Sequence, residues 1–393
     1  MKSSFILSGG EIITPDRHLG VGSVVVKDGR ILGVEKGILP APEGFETVDV
    51  TGMYVMPGFI DIHTHGAGNH DFMDCTAEAC LGIAREHARH GTTLLFPTTL
   101  ASDNAEMLRF LDVYETVRDQ QEGAAFGGLH LEGPYFAYAF RGAQDPRYLR
   151  NPDPEEYMPI LEAAPDIRRW SIAPELPGAL AFGRVLAARG ILPSIAHTDA
   201  IYDDVVRAYE AGFTLITHFY SCMNGVIRRN AFRHAGCVEA GYLIDGMHLE
   251  VIGDGIHVPR ELLQLILKIK GVDKVVLCTD SMRGAGMPMG TESILGSLSK
   301  GQRVILEDDV AKMPDRTCFA GSVATTDRLV RTLWQMAGTS LEDAVRMVTV
   351  NPAKLMGYGS RKGRLQKGYD ADIVVCDKDI KARQTYVMGR KVF

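Results

Sequence analysis

The chain has 393 residues, 46% of them hydrophobic, which is enough for a large core and more than one folding unit. A formal net charge of -7, with no long basic run, argues against a nucleic-acid partner. No apolar stretch approaches the ~18 residues needed to span a bilayer, so no membrane partner is expected.

The amino-terminal stretch Met1-Lys2-Ser3-Ser4-Phe5-Ile6-Leu7-Ser8 soon reaches Gly9-Gly10-Glu11 and lacks the extended apolar region of a signal peptide. This points to a cytoplasmic protein. The seven cysteines, an odd number with no C-x-x-C pair, read as reduced and mostly buried thiols.

Residues 1–56 read as β structure. Ser23-Val24-Val25-Val26 and Arg30-Ile31-Leu32-Gly33-Val34 flank Lys27-Asp28-Gly29, a hairpin turn signal. Residues 358–393 read the same way, with Ala371 to Cys376 and Thr385 to Met388 followed by a turn at Gly389. Neither end has enough strands to close a core alone, so the two are expected to pack as one small β-sandwich with neighbouring termini.

Between them, over 57–357, short apolar runs alternate with helical stretches, the pattern of parallel strands joined by right-handed crossovers. Eight strands are expected, ending near His63, Pro97, Glu132, Ala173, His197, His218, Asp254 and Asp280. Helices are expected at Ala77 to His90, Asn104 to Gln120, Glu155 to Ala163, Ala179 to Arg189, Tyr202 to Ala211, Pro259 to Ile269 and Ser322 to Ala337. The fold class is therefore α/β, a (β/α)8 TIM barrel carrying the small β-sandwich domain. No G-x-G-x-x-G follows a first strand, which disfavours a doubly wound open sheet.

The organising stretch is Pro57 to Gly66, an apolar run ending in His63-Thr64-His65. Strand alternation puts Asp61, His63 and His65 on one side and Ile60, Ile62 and Thr64 on the other. Two converging imidazoles suit a divalent metal. Glu132, His197, His218 and Asp280 stand at the carboxyl ends of the third, fifth, sixth and eighth expected strands, where barrels of this kind carry their chemistry. Inward polar groups there are costly unless satisfied, and six at matching positions point to a metal. His130 lies one step deeper than Glu132 and reads as a packed or supporting residue.

These motifs resemble the amidohydrolase superfamily, and within it the N-acetylglucosamine-6-phosphate deacetylase family. The resemblance covers nearly the whole chain: PGFIDIHTHG, LEGP, RGAQ (Arg141 to Gln144), APE, AHTDA, THFY, DGIHVP, TDSM, FAGS (Phe319 to Ser322), NPAKLMG and KGYDADIVV. It implies that Glu132, His197 and His218 hold a principal divalent metal, that His63 and His65 hold a second, and that zinc or iron fills the site. It further implies that Asp280 is the catalytic acid/base. Substrate contacts then fall on Ala143, Gln144, Ser221, Cys222, Arg229, His257, Phe319, Ala320, Gly321 and Ser322. The implied substrate is a small-molecule N-acetyl amino sugar phosphate, deacetylated within a homodimer whose Arg229 reaches the neighbouring site.

Two departures fall near the expected substrate. Ser221-Cys222-Met223 replaces the usual Asn-Ala-Met, and Ser281-Met282-Arg283 follows Asp280 in place of small residues. Cyclic-amide hydrolases of the dihydroorotase or hydantoinase type share the His-x-His strand but bridge their metals with a carboxylated lysine on the fourth strand. Here that strand ends Ile172-Ala173-Pro174-Glu175, with no lysine. A non-catalytic barrel scaffold would be expected to lose ligands, and all six positions are filled.

Overall fold

In the computed structural model, which describes residues 4–120 and 122–393, the amino-terminal strands run as their alternation requires. The first three residues of the amino-terminal stretch lie outside that description. Ser4–Ile13 pairs antiparallel with His18–Lys27, which pairs with Arg30–Lys36. The turn between the last two places Asp28 and Gly29 at φ 53° and 81°, the left-handed pair a tight hairpin needs.

The carboxyl end completes this sheet. Ile373–Cys376 lies antiparallel between Tyr54–Pro57 and Ala382–Val387, so residues from both ends of the chain share one hydrogen-bonded ladder. The expectation was a sandwich; one continuous eight-stranded sheet is found instead, curled on itself. Phe5 and Tyr386 stand three strands apart, roughly 14 Å in a flat sheet. Their ring centroids are 5.0 Å apart. The free edge also returns to the chain before Ile373: Ile31 N–H donates to the Tyr369 carbonyl (3.0 Å) and Ala371 N–H to that of Gly29 (2.9 Å). Ile12, Val24, Val26, Ile373 and Val375 fill the interior.

The barrel strands are Phe59–Thr64, Thr92–Pro97, Leu129–Glu132, Ile167–Ile172, Leu192–Ile195, Leu215–Ile216, His248–Ile252 and Val275–Cys278. The last six form one parallel ladder and the first two pair with each other. Bridges Thr98 to His130 and Thr64 to Ser281 close the two seams. Gly58 N–H donates to the Asp372 carbonyl at 2.9 Å, so the first barrel strand starts from the curled sheet.

Six of the expected helices form, at Ala77–Arg89, Asn104–Val117, Pro154–Ala163, Ala179–Ala188, Tyr202–Glu210 and Arg260–Lys270. The seventh begins later, at Thr326, because Ser322 is drawn into a bridge with Ser281 and Thr325 is still extended. Among the elements with no counterpart in the sequence reading are a hairpin, Ile227–Arg229 with Phe232–His234; the helices Cys237–Leu243, Leu341–Val348 and Val350–Leu355; and a three-stranded flap, Glu292–Leu295, Gln302–Glu307 and Val310–Lys312. The flap has its own small core around Leu295, Val304 and Leu306. No helix among the described residues is long and apolar enough to cross a membrane.

Candidate metal and active site

The strands stop just short of the residues that matter. His197, His218 and Asp280 lie two residues past their strand ends, with φ of 47°, 29° and 48°. Left-handed backbone at a non-glycine residue costs about 1–2 kcal/mol. It ends each ladder early and swings the side chain toward the barrel axis.

Alternation holds from His63 to His65 but fails one step earlier. The register against the second strand slips between Asp61 and Thr64, and a bulge of this kind lets a side chain change sides. Asp61 accepts from Thr279 Oγ1 at 2.5 Å and lies 3.8 Å from His87, the same histidine that bonds Thr64. Asp61 therefore sits away from the imidazoles rather than beside them.

Two sets of donors converge at the mouth. Glu132 Oε1 lies 3.2 Å from His218 Nε2 and 3.5 Å from His197 Nε2, and those two nitrogens are 3.2 Å apart. Asp280 Oδ1 lies 3.3 Å from His63 Nε2 and 3.2 Å from His65 Nε2, which are 3.3 Å from each other. Ligands held tetrahedrally at 2.0–2.1 Å from a zinc-sized ion stand about 3.3 Å from one another. Glu132 joins the sets, reaching His63 at 3.5 Å and His65 at 3.4 Å.

The outer ring nitrogens of three of these four histidines point the same way. Nδ1–H of His63 donates to Glu250 (2.8 Å), that of His65 to the Thr98 carbonyl (3.3 Å) and that of His197 to the Phe140 carbonyl (2.9 Å). Each bond fixes the tautomer that leaves Nε2 as a free lone pair for a cation. Burial pulls the His63 and His65 imidazoles down, but the surrounding carboxylates outweigh it and push them up to about 10 and about 9. Burial likewise opposes ionisation of Glu132 and Asp280, and the imidazoles hold both carboxyls below the usual range. The cluster attracts positive charge, and a divalent ion fits it.

Beneath the ligands lies a layer that sequence reasoning missed. Arg169, on the fourth strand and fully buried, ion-pairs with Glu250 on the seventh and donates to Thr217 Oγ1 (2.8 Å) and Ser194 Oγ (3.0 Å). Glu250 in turn holds His63 and accepts from His218 N–H at 3.2 Å. A charged residue inside each of the runs Ile167 to Ile172 and His248 to Ile252 was the available signal. His130 bonds Ser171 (2.7 Å) and Thr98 (3.2 Å) and belongs to this layer. The close trio His63, Glu250 and Cys278 is no separate site, because His63 Nδ1 is already given to Glu250.

A cavity of about 590 Å³ opens over the ligands. Of the expected substrate residues, Ala143, Gln144, Ser221, Cys222, His257, Phe319 and Gly321 line it. Gln144 is also committed elsewhere: its Oε1 accepts from Ala101 N–H (2.9 Å), so its Nε2 donates to Glu132 Oε2 (2.7 Å) and orients that carboxylate. Asp254 accepts from His257 Nδ1 at 2.7 Å, and the ring lies 4.7 Å from that of Phe319. Ala320 and Ser322 depart from expectation: both are fully buried behind the wall, with Ser322 Oγ donating to the Thr279 carbonyl at 2.5 Å. Arg229 does not reach its own cavity; it is half exposed on the hairpin, 3.9 Å from Asp199.

The model of the amidohydrolase family matches residues 54–392. N-acetylglucosamine-6-phosphate deacetylase of Lysinibacillus sphaericus is 32% identical over 93% of this chain and 92% of its own. The chain belongs to the N-acetylglucosamine-6-phosphate deacetylase family of amidohydrolases. The Bos taurus deacetylase is similar at 31% identity over 99% of this chain and 94% of its own. A mutant N-acetyl-D-glucosamine-6-phosphate deacetylase from Mycobacterium smegmatis, solved with N-acetyl-D-glucosamine-6-phosphate, superposes with a TM-score of 0.90 at 29% identity, covering 99% of both chains. Amidohydrolases work with a divalent metal, and the two donor sets are where this deacetylase family member would hold it.

Proposed function

We propose that this chain hydrolyses the amide of N-acetylglucosamine-6-phosphate, or of a close N-acetyl amino sugar phosphate, to acetate and the free amine. The observation that carries the reading is the pair of donor sets joined by Glu132, with Asp280 3.2–3.3 Å from two imidazoles at the floor of the cavity. Glu132, His197 and His218 would hold the principal ion, zinc or iron, and His63 with His65 a second. Such an ion lowers the pKa of a water in its coordination shell from ~15.7 toward ~7.

The rest falls to the protein. Asp280, kept ionised by its imidazole neighbours, takes the proton of the attacking water and delivers it to the departing nitrogen. Gln144 keeps Glu132 aimed, and the Arg169–Glu250 pair keeps His63 aimed. His257, locked by Asp254, contacts the sugar phosphate.

Arg229 is proposed to serve the site of a second copy in a homodimer. Its exposure on the hairpin beside Phe232, 74% exposed, supports this. The proposed setting is the cytoplasm, with residues 1–56 and 358–393 as one unit supporting the catalytic barrel of 57–357.

The test is acetate release from phosphorylated and free N-acetyl hexosamines, with metal analysis of the same sample. Preferred release from the 6-phosphate by metal-loaded protein is expected. Protein that opens dihydroorotate or hydantoin and releases no acetate would refute the proposal.

A further inference from the structure

The cavity is lined by two carboxylates and, among the described residues, two cationic side chains that no family motif above includes. The carboxylates are Glu132 and Asp280 at the metal floor; the cations are Lys312 and Arg316, both on the flap. Lys312 ends the last flap strand, and its bridge to Phe319, with the Met313 N–H to Cys318 carbonyl bond at 3.0 Å, closes the turn that carries Arg316. Phe319 lies against His257. The cations thus belong to the part of the cavity wall that carries Phe319, next to His257.

Each head is tied to an acid of the flap, and Glu307 also lies 3.4 Å from Lys312. Glu307 takes Arg316 at 2.8 and 3.2 Å, and Asp308 takes Lys312 at 2.6 Å, while neither acid lines the cavity. Exposed pairs of this kind add little to stability. What they do is hold a guanidinium and an ammonium in place, one planar and forked, the other a point charge, a combination suited to a phosphate dianion.

We infer that Lys312 and Arg316 of the same chain, together with His257, hold the substrate's phosphate and set the preference for phosphorylated over free sugar. This rests on the deacetylase reading above and adds to it: the anion is read within one chain, whatever a neighbouring Arg229 contributes.

The experiment compares kcat/KM for N-acetylglucosamine-6-phosphate with that for free N-acetylglucosamine in wild type, Lys312→Gln, Arg316→Gln and the double variant. Loss of one charged hydrogen bond is worth roughly tenfold, so the ratio should fall about tenfold in each single variant and further in the double. Charge-preserving Lys312→Arg and Arg316→Lys should recover most of it. A ratio in the folded double variant within twofold of wild type overturns the inference. Direct titration with glucosamine-6-phosphate separates it from the deacetylase reading. If wild type releases no acetate yet binds that ligand at least tenfold more tightly than the double variant, the catalytic reading fails and the anion site stands. Equal affinities overturn the anion site.

Discussion

Two regions of this molecule bury clusters of charge, and they balance them differently. In the curled sheet, Asp370 accepts from Arg361 at 2.8 Å and Lys362 at 3.0 Å, and Asp372 accepts from Lys362 at 2.5 Å. The chain supplies both signs, and the cluster is complete as folded. At the barrel mouth, Glu132 and Asp280 face the inward nitrogens of four imidazoles, three of which give their outer nitrogen to a carboxylate or carbonyl. There the chain supplies acceptors in excess and leaves the cation to come from outside. Buried carboxylates with a matching lysine are architecture; buried carboxylates among converging imidazoles are a binding site.

Removing an acceptor from the mouth should break this contrast most severely. Glu132→Gln should lose the principal metal by elemental analysis and cut acetate release by roughly 10³-fold or more, as chelation of the wild type should. Asp280→Asn should retain metal in the Glu132 set and lower kcat by about 10²–10⁴-fold, the usual worth of a positioned general base. Turnover like wild type with metal bound would remove Asp280 from the chemistry.

Arg169→Met tests the layer between these extremes, since it strands Glu250 as an unpaired buried charge. Metal affinity should fall about 10–100-fold through His63, read by metal titration with turnover following occupancy. Lys362→Met in the sheet should lower stability by about 3 kcal/mol in denaturant melts. Its kcat per folded, metal-loaded molecule should stay near wild type.

The smallest effect belongs to a third cluster, whose positive charge is a proton. Burial pulls His90 down, but Asp327 and Glu86 outweigh it and raise the imidazole to about 9 from the ordinary 6.5. A raised folded-state value stabilises fully below pH ~6.5 and is lost as pH rises through ~9. His90→Gln should therefore cost about 1–2 kcal/mol at pH 6 and almost nothing near pH 10. A deficit that grows with pH would reverse the assignment.

Much of this was legible in the residue pattern. The eight strands, six of the helices and the convergence of His63, His65, Glu132, His197, His218 and Asp280 followed from apolar runs ending in polar side chains. What pattern alone missed has physical reasons. The flap is short strands with mixed burial and turn residues, so it reads as loop. Asp61 turned away because a bulge shifts register without a sequence mark. Arg169 and Glu250 are partners 81 residues apart, and only the closed barrel brings them together. The curl of the sheet is likewise a long-range property, since it depends on Arg30 meeting Asp370.

The seating of Ile373–Cys376 beside Tyr54–Pro57 has a consequence for biosynthesis. The strand bearing His63 begins two residues after Pro57, so its root is not braced until residues 373–376 have been synthesised and have emerged from the ribosome. Nascent chains halted anywhere before residue 373 should be inactive, and competence should appear in a single late step rather than growing with length.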